Sequence, residues 1–100
     1  MVEVRWTVQA KDDIENIAEY IARDSEKYAE IQVQRFLEAT EILTTFPKTG
    51  RIVPETDIET IRELIVGNYR IMYAVVSNTQ VDILTVHHSK RLLSNNPAFE

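Results

Sequence analysis

The segment "IRELIVGNYRIMY" at residues 61–73 constrains the fold more than any other part of the chain. Two runs of β-branched and aromatic residues flank Gly67-Asn68, a dipeptide typical of a two-residue hairpin turn. A turn of this length pairs Val66 with Tyr69 and continues the pairing residue by residue along both strands. The segment therefore predicts an antiparallel hairpin with a defined register.

Each strand of this hairpin contains an arginine, Arg62 in the first and Arg70 in the second. The predicted register places Arg62 opposite Tyr73 and Arg70 opposite Ile65. An arginine in the interior of a sheet usually has a hydrogen-bonding or ion-pair partner, or a functional role. We expect the stem of Arg62 to lie along Tyr73 and its charged end to reach solvent or a helix carboxylate.

Three further elements precede the hairpin. Residues 2–7, "VEVRWT", alternate in polarity and predict a half-buried strand. Residues 9–24 repeat isoleucine and alanine at helical spacing and predict an amphipathic helix. A second helix begins at Ser25, a plausible N-cap, and runs to about Phe46, where Pro47 ends it.

The C-terminal part predicts a β-meander. An irregular loop over 47–59, which contains Glu55, leads into strands over residues 60–66, 69–76 and 81–87. The predicted fold class is α+β, with an N-terminal strand, an antiparallel helix hairpin and then a three-stranded antiparallel meander. We expect both helices to pack on one face of the sheet, and residues 1–100 to form a single domain.

Strand alternation divides the meander into two faces. The first face contains Arg62, Leu64, Val66, Tyr69, Ile71, Tyr73, Val75, Leu84, Val86 and His88. The second contains Ile61, Glu63, Ile65, Arg70, Met72, Ala74, Val76, Ile83, Thr85 and His87. The first is richer in large apolar groups, so we assign it to the helices; a bulge in the loop over 77–80 would exchange the two histidines.

The second face is then left open, and an open apolar sheet face indicates a partner. The predicted partner-binding residues are Glu63, Ile65, Arg70, Met72, Ile83 and His87. At the centre of this face, Arg70 has the geometry to bind a phosphate or a partner carboxylate through two hydrogen bonds. The alternative is an internal ion pair between Arg70 and Glu63.

Composition narrows the function classes. The 100-residue chain has a net charge of −5, which argues against direct DNA binding by its whole surface. It has no cysteine, no apolar run long enough to span a membrane and no apolar leader, so we expect a cytoplasmic protein. His87 and His88 are adjacent on a strand and point to opposite faces, so we expect no metal site; we expect no cofactor either.

The order of elements and several short motifs together resemble the ParE/RelE superfamily of type II toxins. The motifs are "A-x-x-D-I-x-x-I-x-x-Y-I" at 10–21, "F-P-x-x-G-R" at 46–51, "I-R-E-L" at 61–64, "Y-R-I-M-Y" at 69–73 and "I-L-T-V-H-H-S-K-R-L-L" at 83–93. The similarity covers about nine-tenths of the chain. It implies a toxin that is held inactive by a cognate antitoxin, which lies across the groove and sheet of the toxin.

The RelE-like branch of this superfamily implies a ribosome-dependent endoribonuclease that cuts messenger RNA. In that branch Arg70 matches the arginine that contacts the scissile phosphate, and Arg91 or Lys90 matches an assisting basic residue. Glu55 and either His87 or His88 match a base and an acid used by a subset of members. The catalytic set under this reading is therefore Arg70, His87, Glu55 and Arg91, acting without a metal.

The ParE-like branch implies a non-enzymatic inhibitor of DNA gyrase. The chain has no tyrosine after Tyr73, and it has Glu63 where some nucleases have lysine. The segments "IREL" and "VHHSKRLL" are more similar to the ParE-like branch, which we favour. A RelE-like nuclease and an interaction module without a target of its own remain the alternatives.

Overall fold

The computed structural model describes residues 1–89, which form two helices and a five-stranded sheet. The strands are β1 (Glu3–Trp6), β2 (Arg51–Ile52), β3 (Ile61–Val66), β4 (Tyr69–Ser77) and β5 (Gln80–His88). The helices are α1 (Val8–Ala22) and α2 (Glu26–Glu41), and a 3-10 turn over Ile42–Thr44 extends α2. Lys90 and Arg91 lie outside the described residues.

The sheet has the order β1-β5-β4-β3-β2, in which β1 runs parallel to β5 and every other pair is antiparallel. The predicted α+β class is confirmed, and so is the predicted register of the β3–β4 hairpin. Two details differ from the prediction. The N-terminal strand joins the meander as its fourth strand, and the predicted loop contains the short strand β2 as the fifth.

Local side chains explain where both helices begin. The hydroxyl of Thr7 accepts a hydrogen bond from the Ala10 amide, and the hydroxyl of Ser25 accepts one from the Tyr28 amide. The predicted cap at Ser25 is therefore confirmed. Thr7 also donates its hydroxyl to the carbonyl of Ile83 at 2.7 Å, so the start of α1 is tied directly to β5.

The main core lies between the helices and one face of the sheet. Its fully buried members include Ala10, Phe36, Leu43, Ile71, Tyr73, Val81 and Ile83. This confirms the prediction that both helices pack on one face. The ring of Phe36 meets that of Tyr69 edge-on, with 5.3 Å between ring centroids. Such a contact adds to the stabilisation from burial alone.

The predicted position of Ile83 on the second face is wrong. The β4–β5 register shifts between Met72 and Tyr73, so that Tyr73 pairs with Ile83 and Leu84 is the additional residue on β5. An additional residue reverses the alternation beyond it. Ile83 is therefore fully buried in the core beneath the helices and does not lie on the second face of the sheet.

Asp13 of α1 holds the helix against this irregular part of β5. Its Oδ2 atom accepts hydrogen bonds from the hydroxyl of Thr85 and from the amide of Val86, the latter at 3.0 Å. Its Oδ1 accepts one from Gln9 at 2.8 Å. The carboxylate thus satisfies backbone and side-chain donors at the irregularity.

Arg62 has a structural role that differs from the one predicted. It lies opposite Tyr73 as expected, but its Nη1 donates to the backbone carbonyl of Gly50 at 2.9 Å. The Gly50 amide in turn donates to the hydroxyl of Tyr73 at 2.9 Å. Arg62 therefore contacts the loop before β2 and holds it against the sheet.

Candidate functional site

Arg70 lies in the middle of the sheet and uses every nitrogen of its guanidinium group. Nη1 and Nη2 donate to the two carboxylate oxygens of Glu55 at 2.7 and 2.8 Å, which is a bidentate pair. Nε donates to Oε1 of Glu63 at 2.5 Å. The Arg70 side chain is 8% exposed, so two carboxylates neutralise a charge that is nearly removed from water.

Glu63 is the most deeply buried member of this group, with a side chain that is 0% exposed. The β2–β3 register places Arg51 directly opposite Glu63, and Arg51 Nε donates to its Oε2 atom. A buried carboxylate needs such partners, because desolvation of an unpaired charge costs several kcal/mol. We call Arg51, Glu63, Arg70 and Glu55, which alternate in sign, the charge chain.

Glu55 forms one exposed end of the charge chain, and its side chain is 45% exposed. It lies in a turn built on Val53, whose carbonyl accepts hydrogen bonds from the amides of Thr56 and Asp57. The hydrogen bonds from Arg70 lower the pKa of Glu55 to about 2. The same contacts, from Glu55 first, raise the pKa of Arg70. Both groups are therefore fully charged at neutral pH.

The two histidines lie at the end of β5. His87 is opposite Arg70 and His88 is opposite Tyr69, in agreement with the predicted facing. His87 is buried, and the ring of His88 meets that of Tyr69 edge-on at 5.5 Å between centroids. Both line a cavity of about 470 Å³ together with Asp13, Asn16, Ile17, Tyr20, Tyr69 and Val86.

The second face of the sheet is not bare as predicted. Glu63, Arg70, Met72 and His87 are all buried, and only Ile65 of the predicted partner-binding residues is exposed, by 55%. The loop after β2 brings Glu55 onto this face, where its carboxylate contacts Arg70. The predicted internal pair of Arg70 with Glu63 is present, and it is one link of a longer chain.

The structure brings together three members of the predicted catalytic set: Glu55 contacts Arg70, and His87 lies opposite Arg70 on the neighbouring strand. The fourth member, Arg91, lies outside the described residues. Among residues 1–89, no group of three or more histidine, aspartate or glutamate side chains is placed to hold a metal ion. In the same part of the chain, neither helix is long and apolar enough to cross a membrane.

The sequence does not identify two residues of this region. It predicts Arg51 only as part of a loop, although its position directly after Gly50 marks a close approach to the sheet. A Cβ atom at Gly50 would lie 2.5 Å from the carbonyl oxygen of Glu63 and 2.6 Å from the hydroxyl of Tyr73. The sequence places Asp13 in the predicted first helix and does not indicate that its carboxylate contacts β5.

Comparison with known proteins gives one consistent result. The family model for "ParE toxin of type II toxin-antitoxin system, parDE" matches residues 4–93. The chain is 30% identical over 92 residues to Toxin RelE2 of Caulobacter vibrioides, which covers 92% of this chain and 100% of that protein. It is 33% identical over 88 residues to the putative toxin Y4kP of Sinorhizobium fredii, or 86% of each chain.

A solved structure extends the comparison to the fold. The structure described as the chromosomal ParDE TA system from P. aeruginosa superposes with a TM-score of 0.74 at 20% sequence identity. The superposition covers 90% of this chain and 98% of the other. The two proteins therefore share a fold across nearly their whole described length.

Proposed function

Since this chain belongs to the ParE toxin family of type II toxin–antitoxin systems, we propose that it is a toxin that inhibits its target by binding and does not cleave RNA. DNA gyrase is the target that the ParE-like motifs favour. A cognate antitoxin neutralises the toxin, in keeping with the toxin–antitoxin system that the family model describes.

The observation that carries this proposal is that the guanidinium of Arg70 is already paired with carboxylates of the same chain. A nuclease of this fold needs that guanidinium to bind the scissile phosphate, and here Nε, Nη1 and Nη2 all donate to carboxylates of the same chain. Glu55 is equally unsuited to act as a base. A general base works best with a pKa near the working pH, and that of Glu55 is held at about 2.

RNA cleavage is the second candidate, and one observation favours it. Glu55, Arg70 and His87 converge, which are the three residue types that a metal-independent nuclease of this superfamily would use. Cleavage would require the bound RNA to displace Glu55 from Arg70. The exposed acids Asp57 and Glu59 of the same loop oppose this exchange, because they repel the RNA polyanion.

Induced expression of the full chain without its antitoxin separates the two candidates. We expect growth arrest, intact transcripts by primer extension, and loss of supercoiling when the purified protein is added to DNA gyrase. The control is Arg5→Gln, which removes an exposed arginine that pairs with Glu3 and should leave toxicity unchanged. Discrete cuts within messenger RNA that disappear in Arg70→Lys would instead establish the nuclease.

A further inference from the structure

The two carboxylates on Arg70 are held in very different ways. Glu63 is fully buried and lies on a regular strand between two neighbours, with an exposure of 0%. Glu55 is 45% exposed and reaches the outer edge of the guanidinium from a turn. The inner contact therefore lies within the sheet and away from water, whereas the outer contact is made by a side chain that water already reaches.

The turn that carries Glu55 has backbone hydrogen bonds of its own. Its backbone is held by Val53, which is fully buried and donates its amide to the carbonyl of Ile61. The amides of Thr56 and Asp57 donate to the Val53 carbonyl. The Glu55 side chain is thus able to rotate away from Arg70 while these backbone hydrogen bonds persist.

Departure of Glu55 would leave a site that matches one carboxylate. Arg51, Glu63 and Arg70 would remain, with one positive charge in excess and the Nη1–Nη2 edge of Arg70 facing outward. That edge binds a planar carboxylate through two parallel hydrogen bonds. The same loop contains the exposed acids Asp57 and Glu59, which repel a polyanion such as RNA.

One exposed neighbour of this site is apolar. Ile65 pairs directly with Arg70 across the β3–β4 ladder and is 55% exposed. A charged edge beside an exposed isoleucine fits a polypeptide segment that has an acidic side chain next to an apolar one.

We propose that Glu55 is a replaceable cap on the Arg70 site, and that an acidic side chain of the antitoxin takes its place when the toxin is neutralised. The inference rests on the neutralisation by an antitoxin proposed above. Glu55 competes with the antitoxin for Arg70, so the free toxin keeps this buried cation paired until the partner arrives. The apparent affinity for the antitoxin is lowered by the fraction of toxin that remains capped.

Removal of the cap tests this inference. The full chain and the purified product of the reading frame adjacent to its gene are titrated against each other by calorimetry. Glu55→Gln should bind that antitoxin about tenfold more tightly, because the competitor is removed. Glu59→Gln is the matched control, since it makes the same charge change at an exposed position of the same loop, and it should leave the affinity unchanged.

A second arm ties the effect to Arg70 itself. Arg70→Lys keeps a positive charge beside Glu63 but loses the bidentate edge, so Glu55→Gln should have no further effect on affinity in that background. Equal affinities of wild type and Glu55→Gln for the antitoxin would overturn the proposal that Glu55 is a replaceable cap. The proposal would also be overturned if Glu55→Gln bound a single-stranded RNA oligonucleotide more tightly than wild type does and showed no gain for the antitoxin. Failure of any complex to form would instead overturn the proposed function and the cap together.

Discussion

The two faces of the central strand β4 are stabilised by different interactions. The face toward the helices is a hydrophobic core in which Ile71 and Tyr73 pack against Phe36. The opposite face is organised around Arg70, whose charge is balanced by side chains from β3 and from a distant loop. Packing on the first face tolerates variation in shape, whereas the second face works only if particular charged atoms meet.

This difference separates stability from function. Burial of apolar surface contributes roughly 25 cal/mol for each Å² and is the dominant favourable term in folding. A buried ion pair contributes little net stability, because desolvation offsets the attraction, yet loss of one partner is costly. The helix-covered face therefore supplies most of the stability, and the charge chain determines which groups can bind the guanidinium of Arg70.

The largest expected effect is on the core. Phe36→Ala removes a fully buried ring in edge contact with Tyr69, and it should lower the free energy of unfolding by about 4 kcal/mol. Leu37→Ala is the control at the next residue of α2, where the side chain is 46% exposed. Urea unfolding measures both, and equal losses would show that the helix-covered face is not the main source of stability.

The next largest effect is on the charge chain. Glu63→Gln leaves Arg51 and Arg70 facing a neutral buried group, and it should cost about 3 kcal/mol. The double variant Glu63→Leu with Arg70→Met removes both buried charges and should be more stable than Glu63→Gln. A double variant that loses at least as much stability would mean that the charge chain itself stabilises the fold.

A smaller effect on stability is expected at Gly50, where the loop before β2 approaches β3 and Tyr73. Gly50→Ala brings a Cβ atom to 2.5 Å from a backbone carbonyl oxygen of β3, and it should cost about 2 kcal/mol through displacement of the loop. The same substitution at Gly67, with φ of +59° and open space around it, tests backbone strain without a clash. Thermal unfolding compares the stability of the two variants. A Gly50→Ala variant as stable as wild type would show that Gly50 does not pack tightly against Glu63 and Tyr73.

The helix-covered face could be predicted from the sequence more fully than the Arg70 face. Gly67-Asn68 sets the hairpin register through local turn geometry, so the pairing of Arg62 with Tyr73 followed directly. Ile83 was misplaced because one additional residue in β5 reverses the alternation, and no local signal marks it. The contact of Glu55 with Arg70 joins residues 15 apart through an irregular loop, where no periodicity predicts the path.

The smallest effect expected is the acid dependence of the cap. The pKa of Glu55 is lowered from 4.5 to about 2 in the folded state, so its contribution to stability is complete above pH 4.5 and is lost as the pH falls through about 2. Because the carboxylate is half exposed and screened by water, the loss should stay under about 1 kcal/mol. The free energies of unfolding of wild type and Glu55→Gln, measured in urea, should therefore differ at pH 6 and become equal toward pH 2. With Glu59→Gln as the control for the charge change, a difference that stays constant over this range would mean that the Glu55–Arg70 contact is not formed in the free protein.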